Sequence, residues 1–218
     1  MEKRSRRLIT WWGILGACFC GILASLMLGA DDFQWDWSHS DALTSKQALR
    51  RTKVSTAERE AIAKAIAIQL MPDMGGLGGR TEPEVEDTAL DTPVKLVDLN
   101  ADGTPEVIAQ GTPQDGGCSP TGNCRFWVFQ KSGDEYKPLV SLEAIQSFTI
   151  QGSRLNGFND LVVKTYVSSA ESTLKLLRYN DGRYQEAGCY KADWSAAGGG
   201  RHELKEPRLT PCGRSHQP

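Results

Sequence analysis

The chain has 218 residues, of which 39% are hydrophobic and 24% charged, with 22 Gly and 10 Pro. These proportions exclude collagen-like, mucin-like and wholly disordered chains. The net charge of −2 is unevenly distributed: Lys3, Arg4, Arg6 and Arg7 outweigh Glu2 in residues 1–7, residues 8–30 carry no charge, and the remainder is acidic. An acidic body lacks the basic face that phosphate binding requires, so nucleic acid is excluded as a partner.

Leu8–Ala30 is an uncharged run of 23 residues. As a helix it would be roughly 34 Å long, enough to cross a hydrocarbon core of about 30 Å. Basic residues precede it, and Asp31, Asp32 and Asp36 follow. That asymmetry places the N-terminus in the cytoplasm and the body outside. Trp11, Trp12, Trp35 and Trp37 lie near its two ends, where amphipathic rings favour the membrane interface. The segment can be an uncleaved anchor, a signal peptide cut after Leu28-Gly29-Ala30, or a lipoprotein leader with Leu15-Gly16-Ala17-Cys18 as its lipobox. Its length favours the anchor, because cleavable apolar regions are shorter.

Residues 31–93 read as juxtamembrane helices and a loop. A short helix is expected over 38–50. Ser55-Thr56-Ala57-Glu58 is a capping box that opens a second helix to about Leu70, with Ile62, Ile66 and Leu70 on its buried face and Pro72 as its stop. Residues 73–93 read as a Gly-rich, then acidic, connection in which Glu84 and Glu86 are solvated charges. The sequence Gly75–Arg80 lacks the ending and the preceding strand of a phosphate-binding loop.

From Val94 the apolar period becomes two. Strands are expected at 94–98, 106–111, 124–130, 136–140, 146–151, 160–167, 173–179 and 183–190, the pattern of an antiparallel sheet protein. Asn180-Asp181-Gly182 is a strong hairpin signal, and Ser132-Gly133-Asp134 a weaker one. Residues 191–218 read as a tail.

Cys18 and Cys20 lie in the apolar run, where thiols act as small hydrophobes. Cys118, Cys124, Cys189 and Cys212 lie in the body, and an even number in an oxidising compartment suggests two disulfides. Cys118–Cys124 and Cys189–Cys212 are the favoured pairs. The first is set among turn residues, and the second would pin the tail. A zinc site is the rival, but the spacings lack the paired knuckles that zinc favours.

One motif carries chemistry. Asp98-Leu99-Asn100-Ala101-Asp102-Gly103-Thr104-Pro105-Glu106 reads D-x-N-x-D-G-x-x-E. Oxygens of Asp98, Asn100 and Asp102, the Thr104 carbonyl and Glu106 can converge on a hard cation, with Gly103 allowing the turn, so Ca2+ is the expected ion in a structural role. Its flanks read as strands, and Ala109 stands where an EF-hand needs a Glu. The other reading, marginally preferred, is an Asx-rich turn whose side chains bind nearby backbone amides without metal.

This loop and its flanks, Leu96–Gly103 followed by Pro105–Ile108, resemble the FG-GAP/VCBS-type repeat. A second copy aligns Pro105-Glu106-Val107-Ile108 with Asn159-Asp160-Leu161-Val162, 54 residues later. In that copy Gly152 and Arg154 replace Asp98 and Asn100, leaving only Asn156 and Asp160 as ligands. The resemblance implies two blade-like units, about 94–140 and 146–190. Two blades cannot close a ring, so an open sheet or sandwich covered on one side by helices is expected.

The fold class expected is mainly β with N-terminal helices: a single transmembrane helix, then an exported antiparallel domain of two blade-like repeats. No G-x-S-x-G or H-E-x-x-H motif occurs, and His39, His202 and His216 fall in no recognisable motif. The chain therefore reads as a non-enzymatic module of a bacterial inner membrane, single-pass, with its body in the periplasm. Its partners would be the membrane and an envelope protein or polysaccharide. The alternatives are a structural or assembly protein and, less favoured, an envelope hydrolase.

Overall fold

A computed structural model of the chain describes residues 33–37, 46–74, 81–195 and 203–213. The chain divides into two units, 1–34 and 35–218. Of the first only Phe33 and Gln34 are described, so the architecture below is that of the second. The run Leu8–Ala30 lies outside the described residues. Among the described residues no helix is long and apolar enough to cross a membrane.

The body is mainly β, with two antiparallel sheets and two α-helices. After β1 (Gln47–Ala48) and a 3-10 turn (Leu49–Arg51) come α1 (Thr56–Met74) and α2 (Glu82–Asp91). The first sheet continues with β2 (Pro93–Val97), β3 (Glu106–Gln110), β4 (Cys124–Ser132) and β5 (Glu135–Ile145). The second comprises β6 (Ser147–Leu155), β7 (Phe158–Tyr166), β8 (Glu171–Asn180), β9 (Arg183–Ser195) and β10 (Glu203–Pro211). Every strand pairs antiparallel with its neighbour in sequence, so each sheet is a simple meander.

Several expectations need correction. No helix spans the described part of 38–50: residues 46–51 form β1 and the 3-10 turn, and 38–45 lie outside the described residues. Helix α1 begins where expected, but only half of the expected capping box forms: Ser55 Oγ accepts from the Glu58 amide at 3.1 Å, while the Glu58 carboxylate accepts from Tyr136 Oη instead. It runs two residues past Pro72, because a proline in the last turn forfeits only one backbone bond. The acidic stretch is not a loop but α2. Thr81 and Glu84 form a full capping box there, and Pro83 sits in the first turn, where a missing N–H costs nothing. The described part of the tail is β-structure, since β9 extends to Ser195 and β10 pairs with it.

Both disulfides form, Cys118–Cys124 and Cys189–Cys212. The β8–β9 hairpin turns through Asp181 (φ 50°) and Gly182 (φ 82°), the left-handed pair that a two-residue turn matching strand twist requires. Asn156 (φ 51°) and Gly157 (φ 86°) do the same between β6 and β7. The β6–β7 connection is therefore a tight hairpin, whereas β2 and β3 are joined by the Asp98–Pro105 loop.

Alternation on the strands sorts the core into layers. Val107 and Ala109 of β3 and Trp127 and Phe129 of β4 pack against Ile62, Ile66 and Leu70 of α1 and Val85 and Ala89 of α2. The intervening Ile108, Phe126 and Val128 face the other way and pack against Phe148, Leu161, Val163 and Leu177 of the second sheet. The order is thus helices, first sheet, second sheet. Leu161 and Val163 stand 54 residues after Val107 and Ala109. The face that β3 turns to the helices is therefore the face that β7 turns to the first sheet. The two sheets are stacked in the same sense, front of one to back of the other.

On the remaining face of the second sheet, Val162, Leu174, Leu176, Tyr190 and Ala192 are buried. Residues 35–37 lie there. The Trp35 ring meets Tyr190 edge-on at 5.0 Å, Trp37 meets Trp194 at 6.0 Å, and the Asp36 amide donates to Gln151 Oε1 at 2.8 Å.

Phe148 is fully buried between the sheets and stacks on Phe126 with centroids 6.2 Å apart. Phe148→Ala is expected to cost about 3–5 kcal/mol in urea unfolding. Leu155→Ala, at a residue 42% exposed, should stay within about 0.5 kcal/mol. Equal costs would mean that the sheets are not held together through this face.

Candidate functional site

The Asp98–Pro105 loop joins β2 to β3 and is closed by its own amides. Asp98 Oδ1 accepts from the Asp102 amide at 3.2 Å and its Oδ2 from the Gly103 amide at 3.0 Å. Asn100 Oδ1 also accepts from the Asp102 amide, at 3.0 Å. Asp102 Oδ1 accepts from the Thr104 amide at 2.7 Å, and Asp102 Oδ2 from Asn100 Nδ2 at 2.8 Å. The Thr104 amide, followed by the Asn100 side chain, holds the Asp102 carboxyl below its ordinary pKa. Ala101 (φ 60°) and Gly103 (φ 85°) supply the left-handed turns that bring these groups round.

Glu106 stands apart from them. It is 1% exposed, on the side of β3 facing the second sheet. Its Oε2 accepts from the Leu99 amide at 2.8 Å, and its Oε1 from Gln130 Nε2 at 3.4 Å. Burial, opposed by the Leu99 amide and reinforced by the Asp102 and Asp98 charges, raises its pKa.

Between these groups sits a residue that pattern reading passed over. Leu99 is an apolar side chain in a polar loop, fully buried in the core between the sheets. Its amide is held by Glu106, and its carbonyl accepts from the Asn159 amide of the second sheet at 2.8 Å. Tyr184 Oη donates to the Asn159 carbonyl at 2.9 Å, and burial raises that phenol's pKa. The loop is therefore a clasp. Its side chains fold it, and the fold drives Leu99 into the joint between sheets. The available signal was the Leu itself, isolated among Asp, Asn and Gly.

As a cation site, the loop offers Asp98, Asn100 and Asp102 side-chain oxygens and the Thr104 carbonyl. These are hard donors of the type Ca2+ accepts, and a carboxylate oxygen that accepts one amide retains capacity for an ion. Glu106 is turned inward, to the Leu99 amide, rather than joining them. Among the described residues no group of three His, Cys, Asp or Glu side chains converges. Of the two residues expected to remain as ligands in a second copy, Asp160 is tied to Ser153 Oγ at 2.8 Å and to Arg178 at 3.5 Å, and Asn156 Nδ2 donates to the Tyr179 carbonyl.

Two further features bear on chemistry. Ser172 and Lys175 have the spacing of a Ser–Lys dyad, but on a strand residues three apart point to opposite faces. Ser172 Oγ accepts from Trp194 Nε1 at 2.7 Å, and Lys175 pairs with Glu186 at 2.8 Å. The buried Asp115 carboxylate accepts from the Thr112 amide, the Thr112 hydroxyl and the Gly117 amide. It shapes the loop that ends in the Cys118–Cys124 disulfide. Gly111 and Gly117 cross there so closely that a Cβ on Gly117 would stand 2.7 Å from Gly111 Cα. An open groove of about 570 Å³ runs beside this loop, with Lys46 donating to Gln110 Oε1 at its rim.

Comparison of the chain with protein-family models, curated proteins and solved structures finds no match.

A raised folded-state pKa at Glu106 means that the native state binds the proton more tightly than the unfolded chain. The associated stability is present at low pH and is lost as pH rises through the folded pKa. Glu106→Gln keeps an acceptor for Leu99 and removes the charge. Its stability relative to the native chain should therefore improve from about pH 4 to about pH 7 in denaturant titrations. A difference that stays flat or shrinks over that range would refute the buried, charged assignment.

Proposed function

We propose that the chain is a membrane-tethered, extracytoplasmic binding module of FG-GAP/VCBS-like type, built from two blade-like units and acting through contacts rather than catalysis. The observation that carries this reading is the pair of disulfides in the body, which suits an oxidising compartment, behind an uncharged run preceded by basic residues. Leu8–Ala30 is the anchor, with the N-terminus cytoplasmic and the body periplasmic. The stacking of two meanders in the same sense supports the blade-like description. The buried carboxylates Glu106 and Asp115 are each occupied by protein donors, which supports structural roles for them. The partner, an envelope protein or polysaccharide, seats in the groove beside the disulfide loop, whose lining combines Lys46 with the exposed loop residues Pro113, Gln114, Ser119 and Pro120. A phosphatase fused after Pro218 should be active in a bacterial host, and a cytoplasmic reporter at the same point inactive. The reverse pattern would overturn the orientation.

The same reading gives the Asp98–Thr104 oxygens a structural Ca2+. An ion bound only to the native state adds RT ln(1 + [L]/Kd), about 2.7 kcal/mol at about 100 times Kd. Because the loop clasps two sheets, that gain should appear as a melting temperature several degrees higher in Ca2+ than in EDTA. Asp98→Ala and Asp102→Ala should abolish the difference, Asn156→Ala should leave it, and Mg2+ should give less. Superimposable curves in Ca2+ and EDTA would reduce the loop to an Asx-rich turn.

A further inference from the structure

Trp35 and Trp37 are where an interfacial aromatic belt would be sought, directly after the uncharged run. They are also packed on the body. Their rings stack on one another at 5.5 Å and meet Tyr190 and Trp194 edge-on, on the outer face of the second sheet. The Lys164 ammonium lies 4.3 Å from the Trp194 ring centre on that face. The nearby Asp193 is neutralised by Arg208 at 2.8 Å. A half-buried cluster of indoles and a phenol beside a cation is the chemistry of side chains that sit among phospholipid headgroups, with apolar rings inward and a polar edge in the wet layer.

Chain length sharpens the point. Only residues 31–34 separate Ala30 from Trp35. Fully extended, that stretch reaches at most about 17 Å. The Trp35 ring packs on Tyr190, so the chain enters the body on this face. The opposite side of the body is two layers away. Stacked sheets alone are about 10 Å apart, and the helices add a further layer.

We propose that the outer face of the second sheet, around Trp35, Trp37, Trp194 and Lys164, is an interaction surface for the phospholipid headgroup layer. It rests on the anchoring reading above. The residues 35–37 strap then forms part of that surface, and α1 and α2, on the far side of the first sheet, face away from the lipid.

The test uses the full chain in nanodiscs of phosphatidylcholine and phosphatidylglycerol, with and without a lipid carrying a headgroup nitroxide. The readout is amide signal intensity. Amides of Lys164 and of Lys191 to Trp194 should lose intensity to the nitroxide, while those of Glu60 in α1 and Asp134 in the β4–β5 turn keep theirs. Uniform loss, or loss on the helical side, would overturn the proposal while leaving the anchor intact. A chain that does not co-migrate with the nanodiscs would overturn the anchoring reading and this proposal with it, and that outcome is distinct from the first.

Discussion

The joint between the two sheets is the constraint on which the rest of the body depends. A meander of short strands has two faces and no means of burying either alone. Ile108, Phe126 and Val128 close one face of the first sheet against Phe148, Leu161, Val163 and Leu177. Leu99 enters the same core from a loop rather than a strand, and it is gripped at both backbone groups, by Glu106 on its own sheet and by Asn159 on the other. The Asp and Asn side chains of the loop bind its amides, and so fix the backbone path that brings Leu99 to that point. Polar chemistry at the surface and apolar burial beneath it are two halves of one device.

Glu106 is the expensive part of that device. A carboxylate with 1% exposure loses its water, and the neighbouring Asp98 and Asp102 add like charge. What offsets this is a set of donors already in place, the Leu99 amide and the Gln130 amide group. The second sheet solves the equivalent position differently. Asp160 faces away from the joint and meets Arg178 and Ser153, and a two-residue Asn156-Gly157 hairpin replaces the loop. With a two-residue turn there, that hairpin inserts no counterpart of Leu99; elsewhere Asn123, before β4, ties the sheets by bonding both the amide and the carbonyl of Tyr166 in β7.

Much of the fold was legible because it follows from local rules. Period-two alternation placed eight of the strands, the Asp181-Gly182 turn set the β8–β9 register, and Ser55 opened α1. Helix α2 was missed although it obeys the same capping rule as α1. Its apolar face is only Val85, Ala89 and Leu90, too sparse to stand out from the acids around it. Strand β10 was hidden because its pairing with β9 is interrupted by a register shift and lies beyond the run Gly198–Gly200. The loop motif was visible as a set of oxygens, but the role of Leu99 was not. Burial of a loop residue depends on the second sheet, and a single-loop pattern contains no information about it.

Stacking two sheets in the same sense leaves two ends to cover, and the chain covers them by unlike means. Helices α1 and α2 lie on the open face of the first sheet, and α1 is tied down by Glu58, whose carboxylate accepts from Tyr136 Oη at 2.8 Å. That bond explains why Glu58 does not complete the capping box its position predicts: its side chain is spent across the layer instead of along the helix. At the far end, among the described residues, a strap of three residues, two of them tryptophans, lies over Tyr190 and Trp194. Large rings make so short a strap sufficient, since each aromatic side chain buries far more area than an aliphatic residue of the same backbone length. A further sheet at either end would have to displace one of these covers.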